Sequence, residues 1–305
     1  MDKPSDSNLN ILPLSHLAAI AVTGEDSAKF LQGQLTCDIN SLSASLASIA
    51  AFCNPKGRVI STLLVVKSTE AFLLILPASL LDKVLNKLKM YILRSDVQLI
   101  NQSQNLTLYG LHRPLPLAEE LKLPTENFAV SGNDPIMIKL PSTLPRYLCV
   151  ANQPQSAATL SQQNSFSIAD AEEWRYQDIS SGSPWFEAEQ SELYIPQMLN
   201  IDGLGGISFN KGCYTGQEIV ARTHYLGKTK RHLFLAECDG TLETPESGTT
   251  VLDRETKQNV GSVLSAQTCA QNTRLLVVLQ TADAESKNLM LDDAKRTAIK
   301  LVPIQ

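Results

Sequence analysis

The residues with the clearest capacity for chemistry stand together in Asn210-Lys211-Gly212-Cys213-Tyr214-Thr215-Gly216-Gln217-Glu218, directly after Gly203-Leu204-Gly205-Gly206-Ile207-Ser208-Phe209. Thr215 and Glu218 have the spacing of a capping box, with Tyr214 and Ile219 as its hydrophobic staple. That pattern predicts a helix that starts here and fades near His224, before Gly227. Cys213 would then sit two residues ahead of the cap, beside Lys211. A helix N-terminus and an ammonium both favour the thiolate, the nucleophilic and metal-binding form of cysteine. The competing reading makes Cys213 an ordinary small apolar residue that fills a gap. Gln217 and Glu218 offer an amide and a carboxylate to a ligand, while the competing reading commits Glu218 wholly to the cap.

The elements that must hold this stretch are legible around it. Residues 17–22 read as a buried strand, with Leu17 at its start and His16 interrupting the apolar run. Gly24-Glu25-Asp26-Ser27 opens a short helix carrying Phe30 and Leu31, and Gly33 ends or bends it. Residues 47–52 and 58–67 form a hairpin about the Asn54-Pro55-Lys56-Gly57 turn. After a strand at 71–76, Ser79 caps an amphipathic helix with Leu81, Val84, Leu85, Leu88 and Tyr91 on its apolar side. Strands follow near 97–100 and 105–111. The turn-rich span 113–145 gives no clear order. A strand at 146–150 and a polar stretch at 152–165 lead to a helix over 167–179 that carries Trp174 and is broken by Gly182, Ser183 and Pro184. From Arg231 onward, five or six short strands separated by turns suggest a small closed or half-closed barrel, with a boundary near residue 230.

The chain has 305 residues, of which 43% are hydrophobic and 19% charged, the composition of a soluble globular protein of two or three domains. Its formal net charge of −5 argues against a general nucleic-acid-binding surface. The basic run at 222–232 reads either as a solvated connector or as an attractor of an anionic tail or an RNA phosphate. The six cysteines show no CxxC pair and no metal-ligand spacing, so no metal site is expected, and their scatter fits a reducing cytosol. No apolar run is long enough to span a bilayer. The apolar start of the chain lacks the basic flank of a signal peptide.

The run Lys211-Gly212-Cys213-Tyr214-Thr215-Gly216-Gln217-Glu218, preceded by Leu204-Gly205-Gly206-Ile207-Ser208-Phe209, resembles the hallmark of the YgfZ-type folate-binding proteins. These are relatives of the glycine-cleavage T-protein, a folate-dependent aminomethyltransferase. The segment 30–36 with Asp38, the Pro55-Lys56-Gly57-Arg58 hairpin, and Ile195-Pro196-Gln197 ahead of Asn200 resemble further family motifs in the same order. The resemblance implies an α+β, T-protein-like fold: a core at 1–230 of two interleaved subdomains around a central channel, and a C-terminal β-barrel at 231–305. It implies that the channel holds tetrahydrofolate or a derivative. It also implies an accessory or regulatory role in support of iron–sulfur enzymes, including those that modify tRNA. The expectation is a cytoplasmic monomer with no direct nucleic-acid or membrane contact, in which Cys213 is the reactive group.

Folate presents a flat pterin with a guanidine-like edge, an apolar aminobenzoyl ring and an anionic glutamate tail. Its site therefore wants an apolar wall, a polar group and a cation. By the resemblance, Leu17 and Trp174 occupy positions that contact folate. Many relatives carry tryptophan where this chain has Leu17, which leaves apolar contact without stacking. Read from the residues alone, Trp174 is equally a core residue of its helix, and Trp185 shares that ambiguity. In T-proteins a pterin-binding glutamate follows the Tyr-Thr-Gly triplet. Here Gln217 follows it and Glu218 comes one later, so both are cofactor-binding candidates. Ser61 and Thr62 stand where the transferase has paired aspartates, and Ser180-Ser181 where relatives often carry Glu-Ala. No hydroxyl at these places can act as a carboxylate in proton transfer. The resemblance thus favours a folate-binding accessory protein. The alternatives are a folate-dependent one-carbon transferase with unfamiliar acids, and a scaffold that has lost folate.

Overall fold

The computed structural model describes residues 13–112, 123–152, 167–169, 171–227, 229–239, 243–284 and 288–305. The first sheet is built from β1 (Leu17–Thr23), β2 (Ser48–Cys53), β3 (Val59–Lys67), β4 (Phe72–Pro77) and β5 (Gln98–Asn101), in the order β2-β3-β4-β1-β5 with antiparallel neighbours. Helices α1 (Ser27–Gln32) and α2 (Leu81–Ile92) accompany it. Its central strands are apolar almost throughout because both faces are covered. Ile20, Val22, Leu74 and Leu76 join one core with Val84 and Leu88 of α2. Leu17, Ala21, Leu73 and Ile75 point the other way, into a second core. Period-two alternation sorts one strand into two interiors. Helix α2 starts at Leu81, after a 3₁₀ turn at Ala78–Leu80, and Ser79 is not its cap: the Ser79 hydroxyl donates to Glu187 Oε2 at 2.6 Å.

The second core is closed by a second antiparallel sheet, β10-β6-β9-β8-β7, formed by β6 (Thr107–His112), β7 (Val130–Ser131), β8 (Ile136–Lys139), β9 (Arg146–Ala151) and β10 (Ser167–Ala169). The single helix expected at 167–179 is therefore divided. Residues 167–169 pair with β6, which satisfies their backbone in a sheet, and helix α3 runs only over Ala171–Ser180. The polar stretch at 152–165 lies almost wholly outside the described residues.

Beyond α4 (Gln217–Leu226), the strands β11 (Arg231–Asp239), β12 (Thr250–Asp253), β13 (Asn259–Cys269), β14 (Asn272–Gln280), β15 (Leu289–Leu291) and β16 (Ala298–Val302) form a closed barrel, with the short helix α5 (Thr281–Ala284) between β14 and β15. Val251, Val263, Val277 and Leu291 fill the barrel. Leu233, Leu235, Leu276 and Val278 face outward and join the first core. Polar ties cross the same junction: Gln190 Nε2 donates to the Val263 carbonyl at 2.7 Å, and Asn200 Nδ2 to the Leu233 carbonyl at 3.0 Å. No helix among the described residues is long and apolar enough to cross a membrane.

Candidate functional site

The glycine-rich stretch is fixed from several directions. Thr36 accepts at Oγ1 from the Ala51 N–H and donates to the Gly206 carbonyl at 2.6 Å, while its own carbonyl accepts from the Ser208 N–H. Lys211 Nζ donates to the carbonyls of Leu35 and Cys37, each at 2.7 Å, and lies 5.1 Å from the Tyr214 ring. Burial lowers the pKa of this amine to about 8, against the opposing pull of Cys37 and Asp38. The Lys211 charge is thus engaged by two carbonyls on the α1 side rather than offered to Cys213. Phe209 stacks on His224 at 3.8 Å, joining the stretch to the end of α4.

The helix start differs from the expected capping box. Gly216 is the N-cap of α4, at φ +85°, and no side chain caps it. A Cβ on Gly216 would lie 2.6 Å from the Asn54 carbonyl oxygen, and one on Gly57 would lie 2.8 Å from Ile219 Cβ, so the hairpin turn at 54–57 packs directly on the helix start. Only glycine allows both the left-handed conformation and that approach. Thr215 turns away, with its hydroxyl 3.3 Å from Gln34 Oε1, and Glu218 extends into solvent to pair with Arg222 at 2.9 Å. Gln217 Oε1 instead accepts from the Tyr214 N–H at 3.3 Å. Cys213 is exposed and shares a shallow open cleft with Pro55, Gln217 and Glu218.

A different concavity has the character of a ligand site. It has a volume of about 220 Å³ and lies where the start of β1, helix α3, residues 183–187 and the bulged part of β13 converge. Leu17, Ile179, Trp185 and Phe186 give it apolar walls, and Arg175 stands exposed on its lining. Three polar groups on this lining have buried atoms without a hydrogen-bond partner among the described residues: both ring nitrogens of His16, Oδ2 of Asp178, and Oγ of Ser265. Buried polar atoms are usually paired, so these atoms make the lining a candidate meeting place for the polar atoms of a ligand. Burial, with Arg175 nearby, pushes the His16 imidazole down to about 4, so it is neutral at physiological pH. Asp178 Oδ1 accepts from Arg146 Nη1 at 2.6 Å, and burial pushes its carboxyl up against the pull of that guanidinium and of the Ser183 hydroxyl. Arg146 also donates to Ser181 and Ser183, and so holds the end of α3 in place. The β13 register shifts between Val263 and Ser265, the kind of irregularity that re-aims a side chain.

The structure divides the candidates named from the sequence. Leu17 lines the cavity. Trp174 does not: it is fully buried one turn before Asp178, against Gly110 and 5.0 Å from the Arg146 guanidinium. Cys213, Gln217 and Glu218 belong to the other cleft, and the two share no lining residue. Ser61 and Thr62 are buried with their hydroxyls engaged, on the Thr62 and Pro184 carbonyls respectively. His16, Asp178 and Ser265 were not singled out from sequence. The one available signal was a histidine interrupting the apolar lead into β1.

The fold is that of the glycine-cleavage T-proteins. It superposes on the crystal structure of the glycine cleavage system aminomethyltransferase T from Bartonella henselae with a TM-score of 0.71 at 15% identity, over 96% of this chain and 84% of that one. Residues 6–118 match the family model of the GCVT N-terminal domain. Among full-length relatives, the tRNA-modifying protein YgfZ of Yersinia pseudotuberculosis is 34% identical over 307 residues, which span 97% of this chain and 92% of that protein. The YgfZ protein of Colwellia psychrerythraea is 31% identical over 82% of this chain and 77% of its own length, and that of Hamiltonella defensa 36% identical over 73% and 68%. The chain belongs to the YgfZ family.

Proposed function

We propose that this chain is a folate-binding accessory protein that supports iron–sulfur enzymes in tRNA modification, with the folate held in the cavity between β1, α3 and β13. Membership of the YgfZ family supports the tRNA-modification part of the reading, since the relatives carry that name. The cavity supports the folate part, and one observation carries it: polar groups with unpaired atoms on a lining that also carries the apolar walls of Leu17, Ile179, Trp185 and Phe186. The residues fit the ligand. Leu17, Ile179, Trp185 and Phe186 suit flat aromatic rings, the unpaired groups suit a pterin edge, and Arg175 suits an anionic tail. A bound tetrahydrofolate supplies a one-carbon carrier. The accessory reading is favoured over a transferase because Ser61 and Thr62 bring no carboxylate to the positions where T-proteins have theirs. Cys213, exposed in its own cleft, is the group this reading makes available to a partner protein.

The test is complementation in a bacterium deleted for its resident YgfZ protein, with a tRNA nucleoside made by an iron–sulfur enzyme as the readout. Wild-type chain is expected to restore the modified nucleoside, and Cys213→Ala, equally abundant and folded, to leave it low. Failure of the wild-type chain to restore it would refute the proposed role. Full restoration by Cys213→Ala would return that thiol to packing.

A further inference from the structure

Away from the cavity, the end of α4 carries a face that the fold does not use. Of the ten residues of this helix only Val220 is buried. Tyr225 and Leu226 close it at 64% and 84% exposure, although both are large and mostly apolar. The Tyr225 ring is nonetheless held in place. It stands edge-on to Phe209 and His224, with centroids 5.9 Å and 4.8 Å away, and those two rings stack at 3.8 Å. Three rings are therefore arranged before any partner arrives, which lowers the ordering cost of binding.

The charge around these rings has one sign. From Phe209 to His232 the sequence holds five lysines and arginines and a single acid, Glu218, within a chain of net charge −5. Glu218 pairs with Arg222 on the exposed surface of α4, and such pairs are weak enough for the guanidinium to turn to a phosphate. Arg222 stands one turn before Tyr225 and Leu226, on the same side of the helix. Just past the helix, Lys230 and Arg231 are exposed and make no salt bridge among the described residues. Lys211 is not one of the available cations, since it bonds the Leu35 and Cys37 carbonyls. Exposed rings set among cations are the means by which proteins hold unpaired nucleotides: bases stack on the rings and phosphates meet the charges.

We propose that the face formed by Phe209, Arg222, His224, Tyr225, Lys230 and Arg231 binds a single-stranded segment of RNA. The inference takes from the proposed role only the choice of RNA. It does not depend on folate, whose cavity shares none of these residues. It concerns one local face, in a chain whose overall charge argues against general nucleic-acid binding. The face adjoins the Cys213 cleft, whose lining includes Ala221, one turn before Tyr225 on α4.

Fluorescence anisotropy tests this with a labelled, unstructured RNA of about 12 nucleotides, within the span of single-strand sites, as the full chain is added at low salt without folate. The expected result is saturable binding to the wild type that weakens steeply as salt rises. Tyr225→Ala is expected to weaken it about tenfold, the scale of one lost base stack, and Tyr225→Phe, which keeps the ring, to retain it. Lys230→Gln should reduce the salt slope by about 0.7, the share of one phosphate in a single strand. Both side chains are exposed, so folded variants can be compared directly. Full affinity in Tyr225→Ala, or an unchanged salt slope in Lys230→Gln, would overturn the face as described. No saturable binding by the wild type would overturn the RNA reading and leave this face to a partner protein, without touching folate binding or complementation.

Discussion

At the scale of single residues, the useful distinction is between polar atoms that the fold satisfies and those that it leaves bare. Thr62 and Lys211 donate to backbone carbonyls and hold chain segments in place. The ring nitrogens of His16 are buried and bare, and its titration can be followed. Its pKa falls from 6.5 to about 4 on folding. Between those values the unfolded chain binds a proton that the folded chain refuses, so stability must fall as pH drops through that window and stay level in this respect above 6.5. Asp178, pushed up by burial, acts in the opposite sense, so the His16 share is read as a difference. Relative to His16→Gln, the wild type should lose up to about 3 kcal/mol between pH 6.5 and pH 4 in denaturant titrations. Parallel curves for the two proteins would show that the imidazole is not held neutral. Residue types announced little of this. His16, Asp178 and Ser265 come from three distant segments, and each looks ordinary in its own neighbourhood. Trp174 stood out in sequence because tryptophan is rare here, but its bulk is matched to Gly110, where a Cβ would lie 2.1 Å from the indole.

At the scale of elements, the motif at 203–218 is a joint between chain segments. Gly206 against Ile49 and Ile201, and Gly216 against the hairpin turn at 54–57, pack at distances that exclude a Cβ, while Lys211 ties the motif to the carbonyls of Leu35 and Cys37. Its presence was legible because glycine placement is a local signal. The capping box was misread because the same Thr-x-x-Glu spacing fits a helix start in which Gly216, in the left-handed region, is itself the cap. Gly216→Ala should cost at least about 1–2 kcal/mol for the left-handed backbone alone, with a further penalty for contact with the Asn54 carbonyl. Urea denaturation would show this as a lowered midpoint. A change within about 0.5 kcal/mol, the ordinary range for a surface site, would mean that the hairpin and α4 do not bear on each other as described. The division of residues 167–179 into β10 and α3 was hidden for another reason: pairing with β6 is a long-range contact that overrides local helix preference.

At the scale of the whole molecule, the alternating cores and the barrel follow from patterning, and the strands of the first sheet were readable, whereas those at 130–131, 136–139 and 167–169 of the second sheet were not. The cavity was not, because it exists only where the first sheet, α3 and the barrel close on one another, and no single segment encodes it. β13 carries Ser265 and Ala266 onto the lining, and the chain end returns to α3 through the Gln305 N–H bond to the Ser180 carbonyl at 2.9 Å. The central claim, that this closure makes a folate site, is tested most directly by isothermal titration of tetrahydrofolate into the wild-type chain and into Ser265→Trp, whose new side chain would fill the cavity from the outer face of β13. The account predicts saturable one-site binding to the wild type and its loss in a folded Ser265→Trp. Undiminished binding to that variant would contradict it, as would no binding by the wild type at high micromolar ligand.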